Sequence, residues 1–183
     1  MPNNDVRILK QASDYGAYLG ALLSLLFFAV VYSSALPALS FLAIAMLLAI
    51  PFFIFFVMKR LRRKAPDFWR MSALWMLGIL IFIFGGIILA AVAYIFLQFI
   101  DPDFIYRQLG AAIEIYKHNP DLINSQSLAV LTKMYESGNI PSAIQSAMST
   151  LWSVSFFGSI LSLIEAAIVS ISSKRNQNIS PLQ

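Results

Sequence analysis

From Tyr15 to Met58 the chain runs 44 residues without an Asp, Glu, Lys or Arg, and from Met71 to Ile100 it runs another 30. From Ser137 to Ser173 the only charge is Glu165. About 20 apolar residues carry an α-helix across the hydrocarbon of a bilayer, so the first run is long enough to cross twice. It breaks at Tyr32-Ser33-Ser34-Ala35-Leu36-Pro37, where proline lacks the N–H that a helix interior needs. The pattern predicts spans over 15–33, 38–58, 71–99 and 150–173. Phe52-Phe53-Ile54-Phe55-Phe56-Val57 is apolar on every side, which excludes the alternation of a membrane β-barrel strand. Helices remain, because they satisfy their own backbone in lipid.

Composition closes the other routes. The chain is 59% hydrophobic and 12% charged, and 22 charged side chains cannot clothe a soluble domain of 183 residues. It has no Cys, which excludes a disulfide scaffold. Arg7 and Lys10 ahead of an apolar run suggest a signal peptide, but the run exceeds the roughly 7–15 residues of a signal core, so the first helix is expected to be retained. The fold class is therefore all-α: a four-helix membrane bundle with a helical segment at 101–148, in a single membrane domain over 15–175 flanked by segments 1–14 and 176–183.

Positive charge is retained on the cytoplasmic side of a membrane. Lys59, Arg60, Arg62, Arg63, Lys64 and Arg70 lie between spans two and three, Arg7 and Lys10 precede span one, and Lys174 and Arg175 follow span four. Four spans with both termini in the cytoplasm put all three clusters on one side. The segment 101–148, with five acids and three bases, falls on the other. The basic loop is read as a topology determinant touching anionic lipid headgroups rather than a nucleic-acid patch. In the outward segment, Asp101-Pro102 predicts a capped helix over 102–117. Asn119-Pro120-Asp121 predicts a second, closed near Ser137 by Gly138, and Asn139-Ile140-Pro141 opens the final helix. Trp69, Trp75, Trp152, Tyr15 and Tyr18 are placed at the membrane interfaces as an aromatic belt.

The string Phe99-Ile100-Asp101-Pro102-Asp103-Phe104 just after a third span resembles the hallmark of an uncharacterised bacterial membrane family, domain of unknown function 4199. Tyr15-Gly16 and Leu19-Gly20 in the first span, a basic stretch before the third and Phe157-Gly158 in the last agree with it. The resemblance covers roughly residues 10–175. It departs at the entry to the third span, which reads Ala65-Pro66-Asp67-Phe68-Trp69 instead of a Gly-rich stretch. The resemblance implies a four-helix protein of the bacterial inner membrane and no activity, so it transfers no catalytic residue.

Glu165 is the sharpest single residue. It precedes Lys174 by nine positions, about 13 Å along a helix axis, near mid-bilayer. A charge there costs about 2.5–3.5 kcal/mol, so a neutral carboxyl facing the bundle is expected. Ser162 one turn away and Ser24 at matching depth are its candidate partners, as is the Leu47 carbonyl that Pro51 leaves without a donor. The functional alternative is an intramembrane proton or cation site; the bland one is a single interhelical hydrogen bond, and a lone acid without a relay favours it. Small residues recur every four positions at Gly16, Gly20 and Ser24, at Gly86 and Ala90, and at Gly158, Ser162, Ala166 and Ser170. Such stripes let helices approach closely.

The single His118 and the absence of Cys leave no His/Cys metal set and no His-based triad, so no cofactor, metal or catalytic residue is expected. Asp101, Asp103, Glu114 and Asp121 are candidates to gather a divalent cation, and capping explains Asp101 and Asp121 without one. The expected function is a non-enzymatic scaffold or accessory subunit with the bilayer and a homo-oligomer or membrane protein as partners. The alternative is a small oligomeric transporter or channel built on Glu165. Reporter fusions at residues 62 and 125 should land on opposite sides of the membrane; the same side for both rules out the four-span arrangement.

Overall fold

A computed structural model describes residues 4–34, 36–119 and 124–179. Among them stand six α-helices and no strand: α1 Asn4–Val31, α2 Ala38–Lys64, α3 Met71–Ile95, α4 Phe104–His118, α5 Ser125–Glu136 and α6 Ala143–Ile179. A 3₁₀ turn over Tyr32–Ser34 follows α1, and a π-helical turn over Phe96–Ile100 continues α3. Four segments are long and apolar enough to cross a membrane: Val6–Val31, Ala38–Lys64, Met71–Ile100 and Ala143–Ser172. The chain is all-helical and multi-pass.

The helices overrun the charge-free runs. α1 begins at Asn4, well ahead of Tyr15, and α2 continues through the basic residues to Lys64. Arg, Lys and Gln are good helix formers. A first charge therefore marks where a helix leaves hydrocarbon and not where it ends. α6 is a single 37-residue helix starting at Ala143 rather than near 150. Its start is a reciprocal cap: the Gln145 N–H donates to Ser142 Oγ at 3.3 Å, and the Ser142 N–H donates to Gln145 Oε1 at 3.0 Å.

Two further expectations need correction. Asp101 does not cap a helix from 102. Its carboxylate accepts instead from Arg107 Nη2, and α4 starts at Phe104 after Asp103, whose side chain makes no cap bond either. The backbone N–H of Asp101 is committed to the Phe96 carbonyl, closing the π-turn at 2.9 Å, and this displaces the helix start. The second short helix opens at Ser125, because Asn124 Oδ1 accepts the Ser127 N–H at 2.7 Å. Pro120 and Asp121 lie outside the described residues. α5 ends at Glu136, and Gly138 then takes the left-handed conformation, φ 64°, that glycine tolerates best.

The helices fall into two compact units, the described parts of Met1–Ala90 with Thr150–Gln183, and Ala91–Ser149. The first unit holds the long-helix core: Leu19, Ile54, Met58, Leu74, Leu77 and Ile81 are fully buried. Trp69 joins them at 1% exposure, so it is a core side chain and not a belt residue. Its ring meets Phe68 edge-on, with centroids 4.8 Å apart. Trp152 and Tyr18 are exposed, and Trp75 Nε1 donates to the Ser159 carbonyl on α6 at 3.3 Å.

Close approach at small residues sets the packing in this unit. A Cβ on Gly16 would lie 2.5 Å from the Phe84 Cβ, and one on Gly20 would lie 2.8 Å from the Ile88 Cβ, so α1 is pressed against α3. On a neighbouring flank of α3, a Cβ on Gly158 of α6 would run into the Phe82 ring, and one on Gly78 would run into Ser162. Gly86 faces Leu151 and Val154 of α6 at an ordinary to tight distance, 3.0 Å to the Leu151 Cδ1. Overpacking a filled interior costs about 1–3 kcal/mol. Gly158→Val should therefore lower the thermal midpoint in detergent, and Phe82→Ala in the same chain should recover part of the loss. Gly86→Ala should be the milder change. Equal loss at Gly86 and Gly158 would contradict this packing.

Candidate functional site

Ser162 and Glu165 are the buried polar or charged residues among those described, at 0% and 4% exposure. Both lie on α6, where positions three and four apart share a face. Ala166 and Val169 continue the same buried stripe. Ser162 sits where α3 and α2 meet α6: a Cβ on Gly78 would strike Ser162 and lie 2.7 Å from the Met58 Cε. The Ser162 hydroxyl, both Glu165 carboxyl oxygens and Arg62 Nε are buried without a hydrogen-bond partner. Each such group normally costs about 1–3 kcal/mol, which makes this the most frustrated place in the first unit.

Arg62 lies toward the basic end of the unit. Its Nη1 donates to Ser170 Oγ on α6 at 3.2 Å and to the Trp69 carbonyl at 3.4 Å. Ser170 follows Glu165 by five residues, about 7.5 Å along the helix. One guanidinium therefore ties α2, the turn before α3 and α6 together at that end. Ser24 spends its hydroxyl on the Gly20 carbonyl of its own helix at 2.7 Å. The small residues named from spacing fall at helix contacts: Gly16 and Gly20 against α3, Gly86 against α6, Gly158 against Phe82, with Ala166 fully buried. Sequence reasoning missed Gly78, although it precedes Gly86 by two helical turns. It also had no way to single out Arg62 among six neighbouring basic residues.

Clefts open beside this core, and two of them bear on the site. One, about 430 Å³, is bounded by all four long helices, with Leu26, Pro51, Phe82, Leu89, Gly158 and Leu161 on its walls and no ionisable side chain lining it. Glu165 does not line it. The other, about 870 Å³, lies at the basic end between α1 and α2, with Arg7, Arg60, Lys64 and Asp14 on its walls.

Residues 14–170 match the protein family described as protein of unknown function, DUF4199. The chain belongs to that family. No curated protein and no solved structure matches it. In this DUF4199 chain the string over 99–104 falls on the end of the π-turn and includes Asp101 of the Asp101–Arg107 pair, in the second unit. There Phe96 meets Phe104 edge-on at 5.6 Å, and the Tyr106 and Tyr135 rings stack at 4.4 Å, joining α4 to α5. A hydrogen bond to Tyr135 holds the Tyr106 phenol above its ordinary pKa, and Asp101 does the same for the Arg107 guanidinium. The His118 ring Nδ1 lies 2.8 Å from the Glu114 carbonyl. Among the described residues no three of His, Cys, Asp and Glu stand close enough to hold a metal ion, and Asp121 lies outside them.

The enclosure of Glu165 makes its chemistry testable by substitution. Gln keeps its shape without charge, whereas Lys brings a cation into the bundle at about 2.5–3.5 kcal/mol. Glu165→Gln should retain the wild-type melting profile in detergent and Glu165→Lys should lower it. Collapse of the Gln variant with tolerance of Lys would overturn the neutral-carboxyl expectation. Ser162→Ala should raise the melting temperature, since it removes a buried hydroxyl that has no partner to offset its desolvation.

Proposed function

We propose that this DUF4199 protein is a non-enzymatic scaffold or accessory subunit of a membrane complex, resident in the bacterial inner membrane with both termini in the cytoplasm. The observation that carries this reading is the isolation of Glu165. It is the one ionisable side chain buried among the described residues, it has no hydrogen-bond partner, and it does not line the cleft between the long helices. A proton or ion route needs a series of ionisable or polar groups reaching from the site. Bacterial origin is supported by the family resemblance. The orientation is supported by charge: Arg7 of α1 shares a cleft with Arg60 and Lys64 of α2, and Arg62 of α2 bonds to α6 at Ser170, so basic residues of two helices gather at one end of the unit. Many apolar side chains point away from the unit, Phe41, Phe52, Phe56, Phe156 and Phe157 among them, and these suit lipid or a second membrane protein.

A second reading rests on one specific observation. Four buried polar atoms, on Ser162, Glu165 and Arg62, lack partners, which favours a transporter or channel in which Glu165, Ser162 and Ser24 meet a proton or cation in an oligomer. Crosslinking in native membranes separates the two. A stoichiometric partner protein is the expected result. A homo-oligomer alone, together with pH-dependent flux in liposomes that Glu165→Gln abolishes, would overturn the accessory reading.

A further inference from the structure

The cleft at the basic end of the first unit lies where the polar start of α1 gives way to its charge-free run. Arg7, Gln11, Asp14, Tyr15 and Tyr18 reach it from one face of α1, at steps of three and four residues. Arg60 and Lys64, one turn apart on α2, reach it from the other side, with Leu61 and Trp69 among the apolar lining. Three cations against one carboxylate leave a surplus of two positive charges in about 870 Å³. None of the three cations is in an ion pair: among the described residues the salt bridge is Arg107 with Asp101. Arg7 is instead held by the Phe68 ring, its guanidinium carbon 5.0 Å from the centroid. A cation held on an aromatic face keeps its N–H groups free for an anion.

Exposed, unpaired cations beside the buried Leu61 and Trp69 match an amphiphile with an anionic head. Basic pockets between membrane helices on the cytoplasmic side take such headgroups. We propose that this cleft is a binding site for an anionic phospholipid whose headgroup carries two phosphodiesters, a diphosphatidylglycerol. Its two negative charges match the surplus of the walls. One phosphate meets the Arg60–Lys64 pair on α2 and the other meets Arg7 on α1, while Tyr15, Tyr18 and Trp69 border the glycerol and the first methylenes. The site bridges two helices, so the lipid acts as a clamp between α1 and α2. It rests on the cytoplasmic orientation proposed above and not on the scaffold role.

The test uses the full chain purified in a zwitterionic detergent, titrated with diphosphatidylglycerol, phosphatidylglycerol, phosphatidylcholine, glycerophosphate or inorganic phosphate, with thermal stability and native mass spectrometry as readouts. Diphosphatidylglycerol should raise the melting temperature and remain bound, and the other four should act far more weakly. Each cation near a lipid surface contributes about fivefold in affinity, so Arg60→Gln with Lys64→Gln should weaken the lipid about 25-fold. Arg70→Gln, which removes a charge outside the cleft, should change it less than about twofold. Asp14→Asn removes the one acid and should tighten binding about fivefold, a gain that a poorly folded variant cannot give. Equal weakening by Arg70→Gln would replace the site with diffuse attraction to the basic loop. Equal stabilisation by glycerophosphate or inorganic phosphate would make it a site for a free anion. Equal binding of phosphatidylglycerol would remove the two-phosphate assignment, and equal binding of phosphatidylcholine would remove the anionic one.

Discussion

Close approach of helix backbones is the constraint on which the first unit depends. In lipid, burying one apolar side chain against another gains little over burying it against acyl chains, so association has to come from tight van der Waals contact. Removing Cβ atoms where helices meet is the direct way to obtain it. α3 is the helix that uses this on two flanks: Gly85 nests against the backbone of Gly16 and Gly20 on α1, and Gly78, Phe82 and Gly86 mesh with α6. The fully buried aliphatic side chains of α1, α2 and α3 fill what remains.

Frustrated polar atoms sit inside this packing rather than beside it. Ser162 is enclosed because Gly78 has no side chain to hold it away, so the notch that admits α6 also strips the hydroxyl of partners. Glu165, one turn along, shares the enclosure. Arg62 marks the other limit of the same face, with its Nη1 satisfied by Ser170 and Trp69 and its Nε left over. The buried stripe of α6 thus passes from close packing at Gly158 through unpaired polar groups to a single cation at the basic end.

Much of the fold was legible in the sequence because the signals were long. Runs of 44 and 30 residues without charge specify helices whatever their neighbours do. Glu165 was legible because it is the lone charge from Ser137 to Ser173. Helix ends were read less well, since charges begin before helices stop, as at α1 and α2. Asp101 was misread because an Asp before a proline signals a cap equally whether or not a partner competes, and Arg107 competes. Trp69 was misread because its position beside basic residues is that of an interface tryptophan, and only the folding of the 65–70 turn onto the core buries it. The basic cleft was invisible in the same sense: Arg7 and Arg60 are remote in sequence and meet only when α1 and α2 pack.

The meshing of α3 with α6 has a further consequence for motion. Phe82 faces Gly158, Gly78 faces Ser162 and Gly86 faces Val154, so contacts step four residues one way on α3 and four the other way on α6. Sliding α6 by one turn would carry Ser162 or Val154 onto Phe82, and each brings a Cβ to a place where Gly158 already leaves no room for one. The two helices behave as a key in its slot. Neither screwing nor piston movement of α6 along α3 is open to this unit without first parting the pair, and any movement that keeps them joined must take the two helices together.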